Sequence, residues 1–265
     1  MTQSPGTARK IAYDFGMNNG DDVAYYLLKG HDVVAVEANP TLCQHSRARF
    51  AREIDEGRLT IINAVVTDAE YQDEVDFYIH RTNDVLSQFP APAPEVREQF
   101  DRIRLASIPA TVIVRNHGEP HYIKIDLEGF DPNVLRSLFG AGIKPPFISA
   151  ESHSVEVFSL LCAHGYRSFN LVDGLSVPKV YANAEIAGEA GPVRHAFPWH
   201  STGPYGEDLR SPWHDAESFF YLLARRRLGW KDVHASLEPM PGTVSVRKNG
   251  FAATGTLMGY PRSDA

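Results

Sequence analysis

The sequence predicts an α/β fold built on a mostly parallel sheet with crossover helices. Three observations carry that reading. Short apolar strands alternate with helical segments over the first 175 residues. A glycine turn sits where the first strand meets the first helix. An acidic residue, Glu37, ends the second strand 21 residues after Gly16.

Taken in order, residues 10–15 read as an apolar strand that ends in the turn Gly16–Gly20. Residues 21–29 form a helix closed by Gly30, and residues 33–37 a β-branched strand. Residues 40–56 read as one helix ending before Gly57, and residues 59–66 as a third strand. Strand, helix, strand, helix, strand is the signature of parallel pairing. Residues 74–80 read as a strand, and residues 89–94, with three prolines, as a surface loop. Residues 111–114 read as a strand on β-branching alone. Residues 122–126 form an apolar strand running into Glu128-Gly129. Asp131 as N-cap and Pro132 at the first helical position open a helix. Residues 147–151 are a strand, 154–163 a helix and 166–172 another strand. Glycine, proline, histidine and aromatic residues cluster from 188 to 213, the composition of a binding loop or lid, and a helix follows over 215–228.

The chain has 265 residues, with 26 lysines and arginines against 33 aspartates and glutamates, hence a net charge of −7. With 43% hydrophobic residues it can bury a core, which excludes wholesale disorder. An acidic chain is a poor general partner for nucleic acid. No apolar run approaches the roughly 18–20 residues of a membrane span. Residues 1–10 lack the apolar centre of a secretion signal, so a cytoplasmic protein is expected. Cys43 and Cys162 are too few for a disulfide framework and read as small buried side chains.

The first turn is where a parallel sheet binds ligands. Gly16 lets a ligand approach the main chain, and the helix start offers N–H groups to an anion. Glu37 can accept hydrogen bonds from both hydroxyls of a ribose, so a nucleoside is expected. A dinucleotide fingerprint needs three glycines, and this turn has only Gly16 and Gly20. Asp14 at the strand tip would repel a pyrophosphate and attract an ammonium group. S-adenosylmethionine satisfies all three requirements.

At these residues the chain resembles the FkbM family of S-adenosylmethionine-dependent methyltransferases. The matching segments are Tyr13-Asp14-Phe15-Gly16-Met17-Asn18-Asn19-Gly20, Val36-Glu37-Ala38-Asn39-Pro40 and Tyr122-Ile123-Lys124-Ile125-Asp126-Leu127-Glu128-Gly129-Phe130, followed by Val134-Leu135. The third carries the family's K-I-D-x-E-G block intact. The segment Ser201-Thr202-Gly203-Pro204-Tyr205-Gly206-Glu207-Asp208 is similar to one in some members, with no role attached. The resemblance implies a class I methyltransferase (Rossmann-like) fold, with a seven-stranded sheet whose last strand is antiparallel, and a helix near residues 111–117. It divides the chain into a cofactor-binding core, 1–180, and a C-terminal extension, 181–265, that completes the sheet and forms a substrate lid. It places Asp14, Phe15, Gly16, Met17, Asn18, Gly20, Glu37, Ala38, Asn39, Asn63, Ala64 and Asp126 around the cofactor. It implies O-methylation of a saccharide, glycan or secondary metabolite.

An alcohol is a weak nucleophile while protonated, so a base or a metal ion should stand near it. Asp126 and Glu128 end one strand and Glu151 and His153 the next. Asp126 and Glu128, two apart, share a face if the chain there is extended. His153 or Asp126 is expected as general base, with Glu151 orienting it. A divalent cation held by Asp126, Glu128 and Glu151 is an alternative. Glu128, His200, Tyr205 and Glu207 are candidate substrate contacts, and Trp199, Tyr205 and Trp213 could stack on a sugar ring. A non-catalytic nucleoside-binding module and an NAD-dependent oxidoreductase are the rival readings.

Overall fold

A computed structural model describes residues 9–68 and 73–246. Most of residues 1–10 therefore lies outside the described residues. The strands are β1 (Ile11–Phe15), β2 (Asp32–Glu37), β3 (Leu59–Asn63), β4 (Val65–Thr67), β5 (Glu74–His80), β6 (Phe100–Pro109), β7 (Pro120–Ile125), β8 (Phe147–Glu151), β9 (Ser168–Asp173), β10 (Ala184–Gly188), β11 (Gly191–His195) and β12 (Lys231–Ser236). The helices are α1 (Asp21–Leu28), α2 (Pro40–Arg49), α3 (Ala51–Asp55), α4 (Ala110–His117), α5 (Asp131–Gly140), α6 (Val155–Ala163), α7 (Val177–Val180) and α8 (Ala216–Arg226).

Seven strands form the central sheet in the order β3-β2-β1-β7-β8-β12-β9. All pair in parallel except β12, which runs antiparallel between β8 and β9. Alternate residues of a strand face opposite sides of the sheet, and both sides are covered. Tyr13, Phe15, Ile123 and Ile125 pack into one apolar core, together with Val134, Leu135 and Leu138 of α5. Ala12, Val33, Ala35 and Tyr122 pack into the other, against Tyr25 and Tyr26 of α1 and Phe197, Tyr205 and Trp213. The C-terminal segment is thus part of the second core. A smaller sheet, β4-β6-β5, stands beside the main one. Among the described residues no helix is long and apolar enough to cross a membrane.

Several element readings change. The helix expected over 40–56 breaks at Phe50, whose ring is buried and lies where a side chain on Gly20 would sit. The strand expected over 59–66 divides at Ala64, after which β4 pairs with β6 and leaves the main sheet. Residues 111–114 are helical, as the family resemblance implied, because Ala110, Ile113 and Val114 form one buried stripe that outweighs β-branching. Strands β6, β10 and β11 were not anticipated, and β12 only as an antiparallel last strand without a position. Finally, Asp131 is not an N-cap: Phe130 holds that position, and the buried Asp131 carboxylate accepts the N–H groups of Gly129 and Glu151, each at 3.3 Å.

Candidate active site

From β1 the chain moves outward to β2 and β3, whereas β7 leads the other way to β8. The sheet therefore reverses direction between β1 and β7, and a crevice opens beyond their carboxyl ends. It holds a cavity of about 510 Å³, the size of a small-molecule site. Glu37, Ala38 and Ala64, which end or follow β2 and β3, line one side, Glu128, Glu151 and His153, which end or follow β7 and β8, line the other, and Gly16 and Asp126 meet between them.

The glycine turn satisfies its own polar groups. The N–H groups of Gly16 and Met17 both donate to the Val36 carbonyl at 3.0 Å, and that of Gly20 donates to Met17 at 3.1 Å. Asn18 N–H donates to Glu37 Oε2 at 2.8 Å, and Asn19 and Asp21 N–H groups donate to the side chains of Asn18 and Asn19. The N–H groups of residues 16–21 are thus engaged within the turn. Gly16 lines the cavity and also has a close backbone neighbour. Its φ is +90°, and a Cβ there would lie 2.0 Å from the Asp126 carbonyl oxygen. The backbone just after β7 makes this approach, which only a glycine allows.

Glu37 is fixed from behind. Its Oε1 accepts the Asn39 N–H at 2.7 Å, complementing the Asn18 bond, and the Asn63 amide donates to the Glu37 and Ala38 carbonyls at 2.9 and 3.0 Å. Burial pushes the Glu37 carboxyl up, while the Asn39 and Asn18 N–H groups and Lys124 draw it down. Asn39 and Asn63 therefore act through Glu37 and do not line the cavity. Phe15 and Gly20 also stand behind the wall.

Asp14 is fully buried and does not reach the cavity. The ammonium it meets is Lys124, with Nζ 3.2 Å from Oδ1. Asp22, which the sequence reading passed over, does line the cavity. Its carboxylate accepts a hydrogen bond from the Ser201 hydroxyl and another from the Thr202 N–H at 3.2 Å.

At the other end the chain after Ile125 is not extended. Glu128 takes the left-handed region at φ 50°, so Asp126 and Glu128 reach the same cavity through a turn and not through strand alternation. Burial, with Asp126 and Glu151 nearby, pushes the Glu128 carboxyl up to about 8. His153 Nε2 lies 2.7 Å from Glu151 Oε2. That hydrogen bond pushes the His153 imidazole up to about 9, and burial pushes Glu151 up. The cation set expected from sequence is rearranged. Ligand atoms of Glu128, Glu151 and His153 lie within 4.8 Å of one another, whereas the Asp126 carboxylate lies 3.5 Å from Lys124.

The remaining wall comes from two places, residues 83–89 after β5 and the C-terminal segment. Trp199, His200 and Trp230 line the cavity, and the Trp199 ring, half exposed, meets Trp230 edge-on at 5.5 Å. A Cβ on Gly174 would lie 2.5 Å from the Trp230 ring, so that glycine makes room for it. Tyr205 is buried, stacked on Tyr122 at 3.9 Å with the planes 4° apart, and Trp213 is buried as well. Neither can stack on a sugar. Glu207 is exposed and outside the cavity. Its neighbour Asp208 pairs with Lys29 at 2.6 Å and accepts from Tyr25 at 2.7 Å. The segment 201–208 is a clasp that fastens the extension to α1.

The model of the methyltransferase FkbM domain matches residues 14–168. The chain belongs to the FkbM methyltransferase family. Its fold is the class I methyltransferase fold, and its family uses S-adenosylmethionine. No curated protein matches. Solved structures that this methyltransferase resembles include precorrin-6y C5,15-methyltransferase from Geobacter metallireducens GS-15, at 11% identity over 86% of this chain and 80% of that one, with a TM-score of 0.39. A precorrin 8W decarboxylase from Methanobacterium thermoautotrophicum matches at 11% identity over 86% and 82%, with a TM-score of 0.37. An S-adenosylmethionine-dependent methyltransferase from Aquifex aeolicus matches at 10% identity over 63% and 78%, with a TM-score of 0.32.

The matched region contains every cavity residue from Gly16 to His153. The aromatic wall of the methyltransferase, Trp199, His200 and Trp230, lies beyond it. Trp230 was missed by sequence reasoning, and its only local signal is the Gly229-Trp230 pair before a short polar strand. Asp22 had a signal, an acidic first helical turn at the ligand end of the sheet.

Proposed function

We propose that this methyltransferase acts in the cytoplasm and moves the methyl group of S-adenosylmethionine to a hydroxyl of a saccharide, glycan or secondary metabolite. The observation that carries the proposal is a single cavity with Glu37 at one end and the Glu151–His153 pair at the other. Three inter-strand steps separate β2 from β8, roughly 14 Å at ~4.8 Å each. That distance suits a nucleoside with an amino-acid tail, leaving the reacting carbon near the acidic end.

When bound, S-adenosylmethionine supplies an electrophilic methyl group on a sulfonium. Glu37, immobilised by two N–H donors, accepts hydrogen bonds from the ribose hydroxyls through its remaining lone pairs. Ala38, Ala64 and Val65 give the base an apolar bed. His153 is the favoured base. Nε2–H donates to Glu151, which leaves Nδ1 to accept the hydroxyl proton as the oxygen attacks, and Glu151 stabilises the imidazolium that results. Trp199, half exposed at the mouth, offers a platform for the apolar face of a sugar.

Replacing Asp126, Glu151 and His153 singly by alanine tests the assignment. Loss of turnover with His153→Ala, with S-adenosylhomocysteine still bound, supports it. Full turnover in all three variants removes it. A divalent cation is the second reading, favoured by the convergence of Glu128, Glu151 and His153. Turnover abolished by a chelator and restored by magnesium or manganese would establish that reading over the metal-free base.

A further inference from the structure

Lys124, the first residue of the K-I-D-x-E-G block, is 3% exposed and reaches the cavity wall from β7. Its ammonium lies 3.0 Å from the Gly16 carbonyl, 3.2 Å from Asp14 Oδ1 and 3.5 Å from both Asp22 Oδ2 and Asp126 Oδ2. One ammonium therefore serves three carboxylates on β1, α1 and the end of β7.

The three carboxylates are not equivalent. Asp14 is sealed from the cavity, and its Oδ2 has no hydrogen-bond partner. Asp22 and Asp126 open onto the cavity, and the Asp126 side chain is 31% exposed. Among the described residues, no other lysine and no arginine lines that wall. Carboxylates withdrawn from water in excess of their cations are costly, and a cationic ligand relieves the excess.

We propose that Lys124 is a positioning residue for the cofactor's amino-acid end: it occupies Asp14 and holds Asp22 and Asp126 at the cavity wall, where those two receive the ammonium of S-adenosylmethionine. The task expected of Asp14 thereby passes to its neighbours. The inference rests on the cofactor reading above.

Calorimetric titration with two probes tests it. S-adenosylhomocysteine carries the amino-acid end, and 5′-methylthioadenosine shares its nucleoside and thioether without that end. The wild type should bind the first more tightly by roughly tenfold or more, the worth of a charge-assisted hydrogen bond. The charge-balanced double variant Asp14→Asn/Lys124→Met should lose about tenfold of that advantage while its affinity for methylthioadenosine stays put. Asp126→Asn and Asp22→Asn should each narrow the gap in the same direction. An unchanged ratio in the double variant would show that Lys124 is merely structural and overturn the proposal. If the double variant loses methylthioadenosine as well, the two single variants decide, and an unchanged ratio in both overturns it. A wild type that binds neither probe sinks the cofactor reading itself.

Discussion

His153 and Glu37 make opposite demands on protonation, and each yields a prediction. A hydrogen bond to Glu151 pushes the His153 imidazole up to about 9, so at neutral pH it is mostly imidazolium and cannot accept a proton. If it is the base, kcat/KM should rise with pH, about tenfold per unit at the steepest, and level off above about 9. Glu151→Gln removes the largest cause of the shift, so the rising limb should move to lower pH. A rate independent of pH from 6 to 9 would exclude His153. His153→Ala should reduce kcat by about 10²–10⁴ and leave the affinity for S-adenosylhomocysteine within about twofold. Glu37→Ala should do the reverse: the dissociation constant rises by roughly ten- to a hundredfold while the Asn18 and Asn39 N–H groups turn to water. Titration and initial-rate measurements on the two variants separate these effects. The sequence made both residues legible, because spacing alone puts them at strand ends. It could not show that Asp14 meets an internal lysine, since Lys124 is distant in the chain and its partner is chosen by the pairing of β1 with β7.

At the scale of elements, the turn after β1 is the most constrained segment. Gly16 combines a φ of +90° with a carbonyl 2.0 Å from where its Cβ would stand. Gly16→Ala should destabilise the protein by about 3 kcal/mol or more, a fall in Tm of roughly 6–12 °C at this size. A thermal melt within 2 °C of wild type, a cut-off set at roughly one-third of the smallest expected fall, would contradict that account. The β1, β2, β7 and β8 strands were legible because each is an apolar run followed by a glycine or acidic terminus. Helix α4 was hidden by Thr111, Val112, Ile113 and Val114, whose β-branching is a weak preference that burial of one stripe overrides. Strand β6 was hidden by its charges. Asp101, Arg102 and Arg104 look solvated in one dimension, yet they pair across to Arg81, Asp76 and Glu74 of the β5 hairpin. The division of β3 from β4 depends on Asn63 bonding back to β2, a contact invisible in composition.

At the scale of the whole molecule the cavity is acidic and partly lined by aromatic rings, and the C-terminal segment both fills a core and supplies Trp199, His200 and Trp230 to that lining. Segment 201–208 links the two roles, because Ser201 and Thr202 hold Asp22 while Asp208 holds Lys29. A wall with Glu37, Asp22 and Asp126 around the nucleoside turn opposes a pyrophosphate and favours a cationic cofactor. That preference separates a methyltransferase from a dinucleotide-dependent oxidoreductase on a similar sheet. Calorimetric titration of the purified chain with S-adenosylhomocysteine and, separately, with NAD tests it most directly. The account predicts saturable binding of S-adenosylhomocysteine at one site per chain and no heat of binding from NAD. Binding of NAD with no response to S-adenosylhomocysteine would contradict it.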